Sequence, residues 1–136
     1  MRFRSDLDGL ITGIRFYKGL TDTTAHTGSL WSNAGQLLAT GSFNETASGW
    51  QQLNFSTPVA ITANTTYIAS YHTSSGFFAD LNFFQDQGVD NPPLHALQTG
   101  VDGPNGVYMY GPGGAFPSQT YMDANYWVDL VFSASP

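Results

Sequence analysis

The sequence contains no cysteine in its 136 residues. This absence excludes disulfide bonds, zinc sites built on thiolates and a cysteine nucleophile. A domain of this length buries about two-thirds of its surface on folding, so it needs no disulfide to hold a core. Aromatic residues make up 15% of the chain, and we expect their rings to supply much of the buried surface.

Charged residues are also scarce, at 10% of the chain against about 25% in an average globular domain. Four basic and ten acidic residues leave a net charge of −6. The few basic residues form no stripe that could displace phosphate counterions, so we expect no nucleic acid partner and no binding to an anionic membrane surface. Neutral polar residues must cover the surface instead, which is typical of exported β-proteins and adhesins.

Long apolar runs are missing as well. No stretch approaches the roughly 20 residues of a transmembrane helix, so we expect no membrane insertion. The opening residues, MRFRSD, do not resemble a signal peptide. We interpret residues 1–136 as a single domain of a larger exported protein, located outside the cell or at its surface. Its signal would then lie upstream, and the neighbouring domains would be its partners.

Glycine and proline are frequent, with 15 and 7 residues, and they interrupt the chain at intervals of about eight to twelve residues. The segments between them alternate apolar and polar side chains, which is the period of a β-strand. This pattern predicts an all-β fold, a two-sheet antiparallel β-sandwich of the jelly-roll or immunoglobulin-like kind. Strands are predicted from residue 3 onward and at residues 10–17, 29–32, 36–40, 50–55, 58–61, 65–72 and 125–133.

The region of residues 74–122 differs, because it holds most of the glycine and proline and little sustained alternation. We predict long loops there, with short strands at residues 77–84 and 107–110. Loops of such length in a compact domain are often functional. Aromatic rings beside Asn, Gln and Asp resemble the surfaces with which sugar-binding modules stack on pyranose faces. The predicted ligand-binding residues are Phe77, Phe78, Asp80, Tyr108, Tyr110 and Tyr121. The alternative is that these rings only anchor the loops.

One metal site is considered, because residues 6–9, DLDG, resemble the start of a calcium loop. A complete EF-hand requires a glutamate at position twelve, where this chain has Tyr17. Asp6, Asp8 and Asp123 remain candidate ligands for a structural Ca²⁺ ion if the two termini pair as neighbouring strands. A plain Asp/Gly turn is the favoured alternative, and no cofactor is required.

Catalytic motifs are not found in the sequence. It has no Gly-x-Ser-x-Gly nucleophile elbow, and Glu45 is its only glutamate. The three histidines lack metal-ligand spacing, and we expect hydrogen-bonded structural roles for His26, His72 and His95. A small hydrolase is therefore the least favoured function, and we do not expect an enzyme.

Several blocks of the sequence resemble a bacterial family known as domain of unknown function 4082. The blocks are DGLITGIRFYKG (8–19), HTGSLWS (26–32), GQLLA (35–39), ETASGWQQ (45–52), PVAI (58–61), YIASYH (67–72), NGVY (105–108), FP (116–117) and NYWVD (125–129). The resemblance extends over nearly the whole chain. It implies an exported, β-rich accessory domain of multidomain bacterial proteins, and it implies no activity and no site residues.

Two functions follow as expectations. The first is a non-catalytic accessory module that binds a glycan or cell-surface polysaccharide, with the loops of residues 74–122 as the binding region. The second is a structural or adhesive spacer, or a self-assembling extracellular subunit, whose strands pair edge to edge between copies.

Overall fold

The structure is a computed structural model that describes residues 1–134. Eleven strands and no helix are found in this range. Accordingly, no helix in the described residues is long and apolar enough to cross a membrane. The strands are β1 (Arg2–Ser5), β2 (Gly9–Lys18), β3 (Thr27–Ser32), β4 (Leu37–Ser42), β5 (Gly49–Ile61), β6 (Tyr67–His72), β7 (Val89–Asn91), β8 (Leu94–Ala96), β9 (Val107–Tyr108), β10 (Gln119–Thr120) and β11 (Val128–Ala134).

The strands form two facing antiparallel sheets. One has six strands in the order β4-β3-β6-β1-β8-β7, and the other has three in the order β11-β2-β5. A small third sheet pairs β9 with β10. The prediction of an all-β antiparallel sandwich is therefore confirmed.

The main core lies between the two sheets, because each strand directs alternate apolar side chains inward. In β2, Ile14 and Phe16 are buried while Tyr17 is exposed, as the alternation predicts. A register shift between Ile11 and Gly13 lets Ile11 face the same core. The buried members of this core are Phe3, Ile11, Ile14, Phe16, Leu30, Phe43, Leu53, Phe55, Ile61, Tyr67, Ala69, Val128 and Leu130.

The six-stranded sheet is also covered on its other face. Trp31 and Ile68 point away from the main core and form a second buried cluster with Val107, against which Phe116 packs. The Trp31 and Phe116 rings lie 5.6 Å apart. An antiparallel sheet usually leaves one face to solvent, so the covering of this face by the chain after residue 104 is the feature that creates the candidate site.

Three strand predictions require correction. Residues 50–55 and 58–61 belong to one continuous strand, β5, which bends where its register with β2 shifts. The predicted strand at 77–84 is wrong, because that segment has only an isolated bridge between Asp80 and Asn125, followed by turns. The predicted strand at 107–110 shortens to β9. The β7–β8 hairpin was not predicted, since its three-residue strands surround two prolines and show too little alternation.

Candidate ligand-binding cavity

A cavity of about 880 Å³ lies between strands β3 and β6 and the loops of residues 73–84 and 106–126. Pockets that hold small ligands usually measure about 300–1,000 Å³. The space is therefore large enough for a small organic ligand.

One wall of the cavity consists of aromatic rings in contact with one another. The ring centroids of Phe77 and Tyr126 lie 5.5 Å apart, those of Tyr126 and Tyr108 6.4 Å, and those of Tyr108 and Tyr110 5.4 Å. All three pairs are edge-to-face, so the rings present both faces and edges to the cavity. Tyr110 is 79% exposed and Phe77 is 53% exposed. Exposed rings held by neighbouring rings are a rigid stacking surface that a ligand can reach.

The floor of the cavity is polar and belongs to the outer face of the six-stranded sheet. Thr27 pairs with His72 and Ser29 with Ser70 across β3 and β6, so their side chains lie on the same face. Ser70 accepts a hydrogen bond of 2.9 Å from Trp31 Nε1. The hydroxyl groups of this floor can donate and accept hydrogen bonds without a formal charge.

Asn105 positions the loop that supplies Tyr108. Its buried side-chain oxygen accepts hydrogen bonds of 2.8 Å from the backbone nitrogens of Arg2 and Gly106, and its amide donates to the carbonyl of Leu97 at 2.7 Å. Gly106 follows with φ of +81°, and a Cβ there would lie 2.5 Å from backbone atoms of Ala124. Only glycine suits both the conformation and the close approach. The NGVY sequence thus directs Val107 into the second cluster and Tyr108 into the cavity.

Two tyrosines at the site, Tyr71 and Tyr126, have raised pKa values. Burial raises the pKa of Tyr126, and the neighbouring Tyr108 and Tyr110 raise it further. Burial also raises the pKa of Tyr71, which donates a 2.9 Å hydrogen bond to the Tyr126 carbonyl. The Tyr71 contact fixes the backbone beneath the Tyr126 ring.

Of the six predicted ligand-binding residues, four line this cavity: Phe77, Tyr108, Tyr110 and Tyr121. Phe78 instead lines a smaller cavity of about 210 Å³ beside Tyr17 and Asp22. Asp80 lines neither cavity, and its carboxylate accepts a 3.0 Å hydrogen bond from Trp127 Nε1.

Several residues that line the cavity were not predicted. The polar floor and Trp31 belong to strands in which alternation was recognised, but alternation does not tell which face another segment covers. The alternation predicts Tyr126 in the last strand, whereas β11 begins two residues later. The sequence carried one signal that could have indicated this cavity. In the segments TGSLW (27–31) and YIASYH (67–72), the side chains on both faces of the strand are of kinds that are often buried or bind ligands.

A buried ionic cluster lies near this region, with His26 at its centre. His26 is 1% exposed, and its ring contacts Glu45 Oε1 at 2.6 Å and Asp22 Oδ2 at 2.7 Å. Lys18 Nζ lies 3.1 Å from the same Glu45 oxygen. Both ring nitrogens face carboxylate oxygens, so both can donate only when the ring holds two protons. Two positive and two negative groups then balance inside the protein.

The carboxylates of this cluster are held in their ionised form. Burial would raise the pKa of Asp22, but hydrogen bonds from Ser75 and Thr24 and the nearby His26 outweigh it and lower the pKa to about 2. Burial would likewise raise the pKa of Glu45, but hydrogen bonds from His26 and Lys18 outweigh burial and lower that pKa.

The cluster also fixes one edge of the cavity. Ser75 lines the cavity and donates a 2.7 Å hydrogen bond to Asp22 Oδ1. This serine bonds to the carboxylate and not to the imidazole, and both His26 nitrogens already face carboxylates. The arrangement can therefore stabilise the Ser75 segment, but it leaves no free nitrogen on His26 to accept a proton from a substrate.

The three candidate calcium ligands lie in separate hydrogen-bond environments. Asp6 contacts His95 at 2.8 Å, Asp8 accepts from the backbone nitrogen of Ala63 at 2.8 Å, and Asp123 accepts from Thr99 at 2.8 Å. The condition for their convergence is not met, because β1 pairs with β6 and β8 while β11 pairs with β2. Within residues 1–134, no group of three or more His, Asp or Glu side chains is arranged to hold a metal ion.

Comparison with known protein families identifies the family of the chain. The family model described as "Domain of unknown function (DUF4082)" matches residues 1–128. No curated protein and no solved structure matches the chain. The matched range includes the ionic cluster, the polar floor and the aromatic wall of the cavity. The chain belongs to the family of domain of unknown function 4082.

Proposed function

We propose that this domain is a non-catalytic module that binds carbohydrate in the 880 Å³ cavity. The observation that supports the proposal is the pairing of a reachable aromatic wall with an uncharged polar floor. A pyranose ring has an apolar face of C–H groups and a rim of hydroxyls. The first would stack on the rings of Tyr108, Tyr110 and Phe77, and the second would bond to the hydroxyls of β3 and β6.

The sparse charge of the chain is consistent with a location outside the cell, where such modules act beside other domains of the same protein. A glycan array, followed by affinity electrophoresis on soluble polysaccharides, tests the proposal. Retention by at least one polysaccharide is expected. If the folded protein is not retained by any glycan, the proposal is wrong.

The variant Tyr110→Ala tests whether the ligand binds at the aromatic wall of the cavity. This ring is mostly exposed, so its loss should remove stacking with little effect on folding. A ring contact is worth about 0.5–1.5 kcal/mol, so affinity should fall roughly two- to tenfold. Trp50→Ala is the matched control, because Trp50 is an exposed ring that lies outside the cavity lining. It should leave affinity unchanged, whereas an equal loss in both variants would contradict the assignment of the site.

A second candidate, a self-assembling structural subunit, is favoured by one observation. Strand β5 has 13 residues and lies at the edge of its sheet, and in the described residues its outer side has only a single bridge, between Asn44 and Gln52. Such an edge can pair with another copy. Light scattering over a range of concentrations tests this candidate, since a strict monomer at high concentration would contradict it.

A further inference from the structure

The side chains that line the cavity differ in charge from the protein as a whole, which has a net charge of −6. None of the side chains that line it is Asp, Glu, Lys or Arg in the part of the chain that the structure describes. The polar groups are hydroxyls, backbone atoms and the imidazole of His72. Nε2 of His72 faces the carbonyl oxygen of Gly111 at 3.1 Å, which can only accept, so this nitrogen is a donor that is already occupied.

The basic side chains of the protein are engaged elsewhere. The whole chain has only four, and each has a partner outside the cavity. Arg2 donates to the carbonyl of Pro104 and to Asn33, Arg4 pairs with Asp102, Arg15 lies over the ring of Trp50, and Lys18 pairs with Glu45. An anionic ligand in the cavity would therefore meet no lysine or arginine side chain.

Met1 also lines the cavity and adds no charged side chain to it. Its backbone nitrogen donates a 2.7 Å hydrogen bond to the carbonyl of Ala69.

These observations decide between two classes of sugar. A carboxylate or sulfate loses its hydration when it enters a partly enclosed site, and that loss is severe unless a positive group pairs with it. A sugar hydroxyl requires only a donor or an acceptor, and the floor offers both. The acidic surface adds a repulsion that salt weakens over a Debye length of about 8 Å at physiological ionic strength.

We infer that the cavity selects uncharged glycans and rejects uronic acids, sialylated sugars and sulfated sugars, because its lining has no lysine or arginine and all four of these side chains are engaged elsewhere. This inference rests on the proposed carbohydrate function and names its ligand class.

Matched pairs of oligosaccharides test the inference. The neutral members are cello-, manno- and galacto-oligosaccharides, and the acidic members are the same chains oxidised at C6 to carboxylates. Titration calorimetry at physiological salt should show binding of at least one neutral member, with its acidic counterpart at least tenfold weaker. Equal or tighter binding of the acidic member would overturn the inference and leave the proposed function intact. Binding of neither class would overturn both.

A charge variant provides a second readout. Thr27 is exposed on the cavity floor, and Thr27→Lys would place an ammonium group there. In this variant, the ratio of the dissociation constants of the acidic and neutral members should fall at least threefold, and it should fall further at low salt. Thr57→Lys is the control, because it adds the same charge to an exposed position of β5 outside the cavity. If both variants change this ratio of dissociation constants equally, the preference for neutral sugars arises from the net charge of the protein, and the inference about the cavity lining is wrong.

Discussion

The buried ionic cluster allows a sharp prediction about stability. His26→Ala would remove the group that lies between two carboxylates, at 2.6 Å from Glu45 and 2.7 Å from Asp22. Lys18 would still neutralise Glu45. Asp22 would keep its neutral hydrogen-bond donors and would have no positive partner in the cluster. The tilted contact between the His26 and Phe16 rings, at 4.6 Å between centroids, would also be lost.

The size of the effect follows from burial. Removing one partner of a buried ion pair destabilises a protein by about 3–5 kcal/mol, because an uncompensated charge remains inside. A whole domain is stable by only about 5–15 kcal/mol. For a chain of this length, about 3–5 kcal/mol corresponds to a fall in Tm of roughly 10–20 °C.

The chain contains a matched control for this experiment. His95 also lies between two carboxylates, with Asp6 and Asp90 both at 2.8 Å, but its side chain is 26% exposed and both partners are more exposed still. Surface pairs contribute about 0–1 kcal/mol. His95→Ala should therefore change the free energy of unfolding little, although the local hydrogen-bond pattern is the same.

Urea denaturation followed by tryptophan fluorescence, with calorimetry for Tm, measures both variants at pH 7. A loss of at least 3 kcal/mol is expected for His26→Ala and at most 1 kcal/mol for His95→Ala. Equal small losses for the two variants would refute the reasoning, because burial would then make no difference to the histidine–carboxylate cluster.

Three further predictions follow from the site and its supports. Asp22 has a pKa of about 2 in the folded protein against a reference of 3.8, so its ionised form should stabilise the fold above pH 4 by about 2 kcal/mol. This stabilisation should disappear as the pH falls towards 2. In urea denaturation of Asp22→Asn, the free energy of unfolding should lack this part of its dependence on pH. Gly106→Ala should lower the free energy of unfolding by more than the roughly 1–3 kcal/mol of left-handed backbone strain, because the added methyl group would overlap Ala124. Gly103→Ala is the control: its φ is +72° but the space around it is open, so it should show the backbone strain alone. Calcium should leave Tm unchanged, because the three candidate aspartates lie in separate hydrogen-bond environments, and a higher Tm in calcium than in chelator would contradict this expectation.

Much of the frame was predictable from alternation alone. The side chains of Ile14, Phe16, Leu53 and Leu130 face the core as a period of two requires. The β3–β4 hairpin was predictable because Gly35 tolerates the φ of +97° that its turn adopts. These features depend on neighbours in the sequence, and local patterns report them well.

The cavity was only partly predictable, because its walls come from distant segments. The aromatic loop residues were candidates from composition, and four of them line the cavity. No local pattern shows that the outer faces of β3 and β6 would be covered by the chain after residue 104. The ionic cluster was missed for the same reason. His26 and Glu45 are 19 residues apart in the chain, and only the fold brings their side chains within 2.6 Å.

The position of β1 in the six-stranded sheet has a consequence for the order of folding. This strand lies between β6 and β8, so residues near the start of the chain must wait for partners at 67–68 and 94–96. The β3–β4 hairpin and the β2–β5 pair can form earlier, because they close shorter loops. Domains rich in such distant pairings fold slowly, on the scale of milliseconds to seconds. During synthesis the six-stranded sheet cannot be completed until residue 96 has emerged from the ribosome, and until then the edge of β1 that pairs with β8 remains open to other chains.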